Sequence, residues 1–256
     1  MSNPHLAIST PPAVANQANP PSFIDLRQFA RDTGQGLPVA AFPHDDPFLA
    51  NRRVLDWAPG PVTAGVINLD AGSGSVASLP ADEFIIVTQG RLTLTRQGVT
   101  LTLEANQSAV IQQGAAFSWT AQAPVSLIFT RYNFSVPGEG AIVPVKANPQ
   151  LEPTGTPSVD LLLTPVPVCR NYTDYRTTDG EFMVGTWDST PYHRRAMFYR
   201  HFELMYLLEG SVTFVDEAGR SGTFVKGDIF LVEQTAQCSW ESRVDVAKVY
   251  VIYRPA

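Results

Sequence analysis

The stretch DEFIIVTQGRLTLT at residues 82–95 recurs as FELMYLLEGSVTFV at 202–215. In each copy a glutamate opens an apolar run, and a glycine follows after six intervening residues. Glu83 and Glu203 lie 120 positions apart, as do Gly90 and Gly210. Further along, FSWTA and CSWES align Trp119 with Trp240 at a spacing of 121. Several anchors sharing one spacing mark an internal repeat, and a repeat sets the architecture before any single residue is read. The chain therefore reads as two copies of one β-domain.

The surrounding pattern is that of β-structure. From about residue 50, short stretches alternate apolar and polar side chains, with Gly, Asn or Asp between them every 8–12 residues or so. Leu92 and Leu94 alternate with threonines, Gln97-Gly98 turns the chain, and Leu101 and Leu103 alternate again. The second copy turns around Glu217-Ala218-Gly219. Each half is a meander of hairpins, expected to close as a sandwich or barrel. Ahead of the repeats, residues 1–21 are rich in Pro, Ala, Asn and Ser and read as an arm. Ser22 is placed to cap a short helix carrying Phe23, Leu26, Phe29 and Ala30, with Gly34 ending it. Between the copies, 135–168 is dense in proline, which cannot donate to a ladder, so it reads as connection. Residues 141–145 and 159–163 are its candidate edge strands. The resulting division is an arm with one helix over 1–46, a first barrel over 47–140, a connection packed on the barrels over 141–168, and a second barrel over 169–256.

Composition narrows the partners. A formal charge of −6 over 256 residues argues against nucleic acid and anionic membrane, which require a concentrated basic surface. Two cysteines are too few for a disulfide framework and fit a reducing compartment. With no apolar run of membrane-spanning length and no secretory pattern at the N-terminus, a cytoplasmic protein is expected. Strand edges left by two barrels favour pairing of subunits, so a homodimer is expected.

The repeated Glu…Gly hairpin, followed by Gly227-Asp228 and a strand ending at Trp240, resembles the cupin fold. The likeness covers about 60–134 and 180–254. It is strongest with the subgroup that includes ureidoglycine aminohydrolases and ethanolamine-utilisation proteins, through Gly185-Thr186-Trp187, Glu203, the LLEG at 207–210, Gly227-Asp228 and Trp240. The resemblance implies an all-β chain of two tandem double-stranded β-helix (jelly-roll-like) barrels, a bicupin. It also implies where a metal would bind: on two histidines and a glutamate of one motif and a histidine or glutamine of another. Here those positions hold Met197 and Tyr199 (or Ala196 and Phe198), Glu203 and Cys238 in the second copy. In the first copy they hold Ala77, Leu79, Glu83 and Phe117. No metal is expected in the first barrel, whose Glu83 has little polar company nearby in sequence. In the second, Glu203, Cys238 and His201 form a possible weak site for Mn, Zn, Fe or Ni.

The second barrel is thus the candidate site. His201 and Glu203 lie two residues apart and project from one strand face, as a proton relay or a ligand pair requires. Cys238 and Trp240 are likewise same-face neighbours. Tyr199, Trp187, Trp240 and Gln237 are candidate lining residues. The string from His193 to His201 places Arg195 and Arg200 at the expected mouth, where arginine forks would grip a carboxylate. Three readings stay open: a protein binding a small polar or anionic metabolite without a complete metal site, a metal-dependent hydrolase or isomerase of ureide or related nitrogen metabolism, and a structural module with both barrels filled.

Overall fold

The computed structural model describes residues 22–39 and 46–256. The candidate arm over 1–21, with His5, and the stretch around His44 lie outside the described residues. The rest folds as two tandem β-barrels, each a seven-stranded sheet facing a four-stranded one.

The two seven-stranded sheets match strand for strand. The first runs, in spatial order, Ile142–Pro144, Ser108–Ile111, Asp82–Gln89, Val125–Tyr132, Val62–Leu69, Arg52–Val54 and Leu37–Pro38. The second runs Phe23–Asp25, Ile229–Val232, Phe202–Glu209, Val246–Tyr253, Phe182–Ser189, Cys169–Arg176 and Glu152–Pro153. The outer strands are exchanged between the repeats. Phe23–Asp25 precedes the first barrel but pairs with Ile229–Val232 of the second. Ile142–Pro144 precedes the second barrel but pairs with Ser108–Ile111 of the first. Each exchange covers a sheet edge that would otherwise offer unpaired backbone groups.

Strand periodicity distributes the apolar side chains. In Asp82–Gln89 and Phe202–Glu209 nearly every residue is buried, because both faces of the sheet are covered. Phe84, Ile86, Phe202, Leu204 and Tyr206 face an apolar layer shared by the two large sheets. The alternate residues point into the barrels: Ile85 and Val87 into the first, Met205 and Leu207 into the second. Glu83 and Glu203 have the inward parity. Gly90 and Gly210, which follow these strands, adopt φ of 83° and 77°, the left-handed region that glycine enters without penalty. Gln97 and Gly98, at 51° and 80°, make a hairpin turn of the kind that matches the twist of paired strands.

Elsewhere the structure departs from the sequence reading. Residues 23–25 are strand, and the helix, Leu26–Arg31, is capped by Asp25, whose carboxylate accepts from Gln28 N at 2.9 Å. Ser22 is not the cap, because its backbone is drawn alongside Glu233 by the exchanged strand. Asp46 caps a second short helix, Pro47–Ala50. In the connection 142–144 is strand, whereas 159–161 forms a single 3-10 turn. No helix among the described residues is long and apolar enough to cross a membrane.

The interior of the first barrel is not bare of polar groups. Arg52 grips Glu83 with both nitrogens, Nη1 to Oε2 at 2.7 Å and Nη2 to Oε1 at 2.9 Å, and Arg131 Nε adds a third contact at 2.9 Å. Glu83 is fully buried and Arg52 nearly so. The Arg52 guanidinium lies 4.6 Å from the Phe129 ring centre, so the cluster plugs the barrel. Burial pushes the Glu83 carboxyl upward, but the two arginines together hold it below its usual range. Removing one partner of such a cluster strands the others in a dry interior. Glu83→Ala is accordingly expected to cost about 3–5 kcal/mol of stability in chemical denaturation. A loss of under about 1 kcal/mol would show that the cluster is solvated or dispensable.

Candidate functional site

In the second barrel the equivalent carboxylate meets different partners. Glu203 begins the inward series of Phe202–Glu209, and Lys248 arrives on the neighbouring strand Val246–Tyr253. Lys248 Nζ donates to Glu203 Oε1 at 2.8 Å and approaches Met205 Sδ at 3.2 Å. Its ammonium sits 4.8 Å from the Trp187 ring centre and 5.0 Å from that of Trp240, the two indoles standing edge to face. Aromatic faces stabilise a desolvated cation there. On the other side, His201 Nε2 lies 3.3 Å from Glu203 Oε2.

Burial alone would raise the Glu203 pKa, but Lys248 and His201 together outweigh it and hold the group at about 2. Glu203 is therefore an ionised anchor with both oxygens engaged. It forms one wall of a cavity of about 640 Å³ that opens to solvent. Asn171 and Thr173 line the cavity from Cys169–Arg176, and the Tyr250 hydroxyl stands 2.9 Å from Thr173 Oγ1. Arg176 and Arg254 stand exposed at the rim. Neither guanidinium has an ion-pair partner among the described residues. Glu203 is the one acidic side chain in a lining that also holds Arg176, Lys248 and Arg254.

The origin of this space lies in the repeat. In the first barrel Arg52 is paired with Ile67, and at the matching register of the second Asn171 is paired with Trp187. A short amide replaces the long guanidinium, and the volume that Arg52 fills in the first barrel stays open in the second.

Of the residues singled out in the sequence, Glu203, His201 and Trp187 line the cavity. Trp240 is buried behind it, with its indole N–H 3.2 Å from Ser242 Oγ. Tyr199 is buried outside the lining, its hydroxyl receiving Arg194 Nη2 at 2.5 Å. Arg195, Arg200 and Gln237 are exposed and outside the cavity. Most of the string expected at the mouth belongs to strand Tyr192–Phe198 of the four-stranded sheet, paired with Gln237–Ser242. Its register turns Arg194 inward, where Nη1 also donates to Cys238 O at 2.9 Å, and turns Arg195 outward. Cys238 is wholly buried in the apolar cluster, and burial pushes its thiol up to about 11. Lys248, Asn171, Arg176, Tyr250 and Arg254 were not singled out. Lys248 did carry a signal, as a lone charge inside the buried run VAKVYVIY.

A model of the EutQ-like cupin domain matches residues 176–250. No functionally curated protein matches the chain at a significant level. Among solved structures, a protein of unknown function of the DUF861 family from Pseudomonas syringae pv. tomato is 30% identical, covering 85% of this chain and 91% of its own, with a TM-score of 0.77. The chain belongs to the DUF861 cupin family. Two more distant structures share the fold. Salicylate 1,2-dioxygenase from Pseudaminobacter salicylatoxidans is 12% identical, covering 90% of this chain and 83% of its own, with a TM-score of 0.55. Ylba from E. coli is 14% identical, covering 86% and 90%, with a TM-score of 0.50.

The metal that a cupin likeness implies does not fit the residues of this family member. Among the described residues no group of three or more His, Cys, Asp and Glu side chains could hold an ion. The possible trio of Glu203, Cys238 and His201 is not assembled, because Cys238 belongs to the apolar core. The Lys248 ammonium, moreover, already supplies the positive charge that Glu203 needs.

The carboxylate makes the cupin's stability depend on pH in a defined direction. Its folded value of about 2 lies below the ordinary 4.5, so its contribution is complete above about pH 5 and is lost as pH falls towards 2. The stability difference between the parent protein and Glu203→Gln should therefore shrink by a few kcal/mol between pH 6 and pH 2 in urea titrations. A difference independent of pH would mean that the carboxylate is not held ionised.

Proposed function

We propose that this cupin binds a small anionic metabolite in the cavity of its second barrel. One observation carries the reading: two unpaired guanidiniums and a buried ammonium surround an open space whose single carboxylate is already neutralised. Arginine is suited to this task because its planar fork matches a carboxylate in two parallel hydrogen bonds. Asn171, Thr173 and Tyr250 add neutral polar groups that suit a ureido, hydroxy or oxo function next to the acid. Arg176 and Arg254 take the place at the rim that the sequence suggested for Arg195 and Arg200. An open cavity of this size supports a binding function over a barrel filled purely for structure.

A hydrolase or isomerase acting on such a ligand, of the kind found among ureidoglycine aminohydrolases, is the second reading. The observation favouring it is that His201 and Glu203 face the cavity together. On this reading Glu203, ionised and saturated with hydrogen bonds, orients the imidazole, and His201 moves the proton. The donor set supports no step that runs through a metal.

Calorimetric titration with hydantoate (N-carbamoylglycine) and glyoxylate, against the neutral amide of hydantoate, separates charge recognition from general polarity. Both acids should bind, and the amide at least tenfold more weakly. Arg176→Ala and Arg254→Ala should each weaken acid binding about tenfold, the scale of one lost charge-assisted hydrogen bond. Equal affinity for acid and amide, or full affinity in the double variant, contradicts the proposal.

A further inference from the structure

The large sheets leave two crevices between the barrels, and the internal repeat makes them equivalent. Tyr132 pairs with Asp82 in one, as Tyr253 pairs with Phe202 in the other. Gln112 follows Ile111, the partner of Glu83, and Glu233 follows Val232, the partner of Glu203.

The first crevice is closed by hydrogen bonds. Tyr175 donates to Asp82 Oδ2 at 2.6 Å, and the backbone N–H of Gln113 donates to Oδ1 at 2.7 Å. The single hydroxyl proton of Tyr132 is shared between Asp179 Oδ2 at 3.0 Å and Glu181 Oε2 at 2.9 Å. Gln112 Oε1 accepts from Ala141 N at 2.8 Å.

Among the described residues, none of these closures recurs in the second crevice. Phe202 stands where Asp82 does, and Pro61 where Glu181 does. What remains is a cavity of about 240 Å³ between Trp57, Val62, Phe202 and Tyr253, with Glu233 in its wall. Glu233 Oε1 is buried and meets no hydrogen-bond donor among the described residues, while the Trp57 side chain is the polar partner of the same carboxyl group. A buried, unpartnered acceptor is costly and is rare without a reason. Its turn is also strained: Thr235 adopts φ of 77° where the first repeat has Gly114 at 81°. A β-branched residue in that region marks a backbone held against its preference.

We propose that this second crevice is a binding site for a small amine with an apolar body, separate from the anion-binding cavity and opposite to it in charge preference. The ammonium donates to Glu233, and the apolar part lies among Trp57, Phe202 and Tyr253, whose ring faces favour a nearby cation. An apolar cavity of about 150 Å³ accommodates benzene, so this one has room for a phenyl ring with a short amine tail.

The probes are 2-phenylethylamine and its uncharged counterpart 2-phenylethanol, titrated into the full-length protein with chemical-shift detection. The amine should bind saturably, and Glu233→Gln should weaken it at least tenfold while changing alcohol binding by less than twofold. Val62→Trp, which fills the cavity, should abolish binding of both. Without ligand, Glu233→Gln should raise the thermal midpoint, since it replaces a carboxyl desolvated by burial with a neutral amide. Absence of saturable amine binding to the parent protein, or equal amine affinity in Glu233→Gln, overturns the proposal.

Discussion

A carboxylate placed at the same inward position of both barrels has to be neutralised, because an unpaired charge cannot persist in a dry interior. The two repeats meet that requirement in different ways. In the first barrel Arg52 and Arg131 close on Glu83 from two strands, and the long Arg52 side chain fills the middle of the barrel. In the second, Lys248 reaches Glu203 from within the wall, backed by two indoles, and the residue at the Arg52 register is only an asparagine. How the acid is neutralised thus decides which barrel is plugged and which is open.

The shared apolar layer and the exchanged edge strands hold the barrels in one relative placement. That placement creates two equivalent crevices, and here too the copies have diverged. One is sealed by tyrosine–carboxylate hydrogen bonds. The other has exchanged its polar closures for Phe202 and Pro61 and keeps one acid, Glu233, beside Trp57. Duplication supplied the same scaffold twice, and the functional asymmetry comes from a handful of inward-facing positions.

Much of the architecture could be read from the sequence, because strand parity and turn chemistry are local. The Glu–Gly–Trp anchors located the duplicated strands, and Gln97-Gly98 is the hairpin turn it suggested. The site was less legible, because its partners are distant in the chain. Lys248 is 45 residues from Glu203, and Arg52 is 31 residues from Glu83. Nothing near Glu83 announced its arginines, so its polar company was underestimated. The stretch around Arg194 misled for a different reason. An irregularity in pairing between Arg194 and Met197 shifts which residues face inward, and simple alternation does not foresee it. Arg176 and Arg254 carry no local signal at all, since exposed arginines are ordinary until a cavity lies beside them.

Refilling the second barrel tests this account most directly. Asn171→Arg restores the first barrel's residue at the matching register and directs a guanidinium toward Glu203. If the missing arginine is what leaves the cavity open, this variant should fold normally and lose the calorimetric response to hydantoate. A folded Asn171→Arg protein that still binds the acid with parental affinity would show that binding takes place elsewhere.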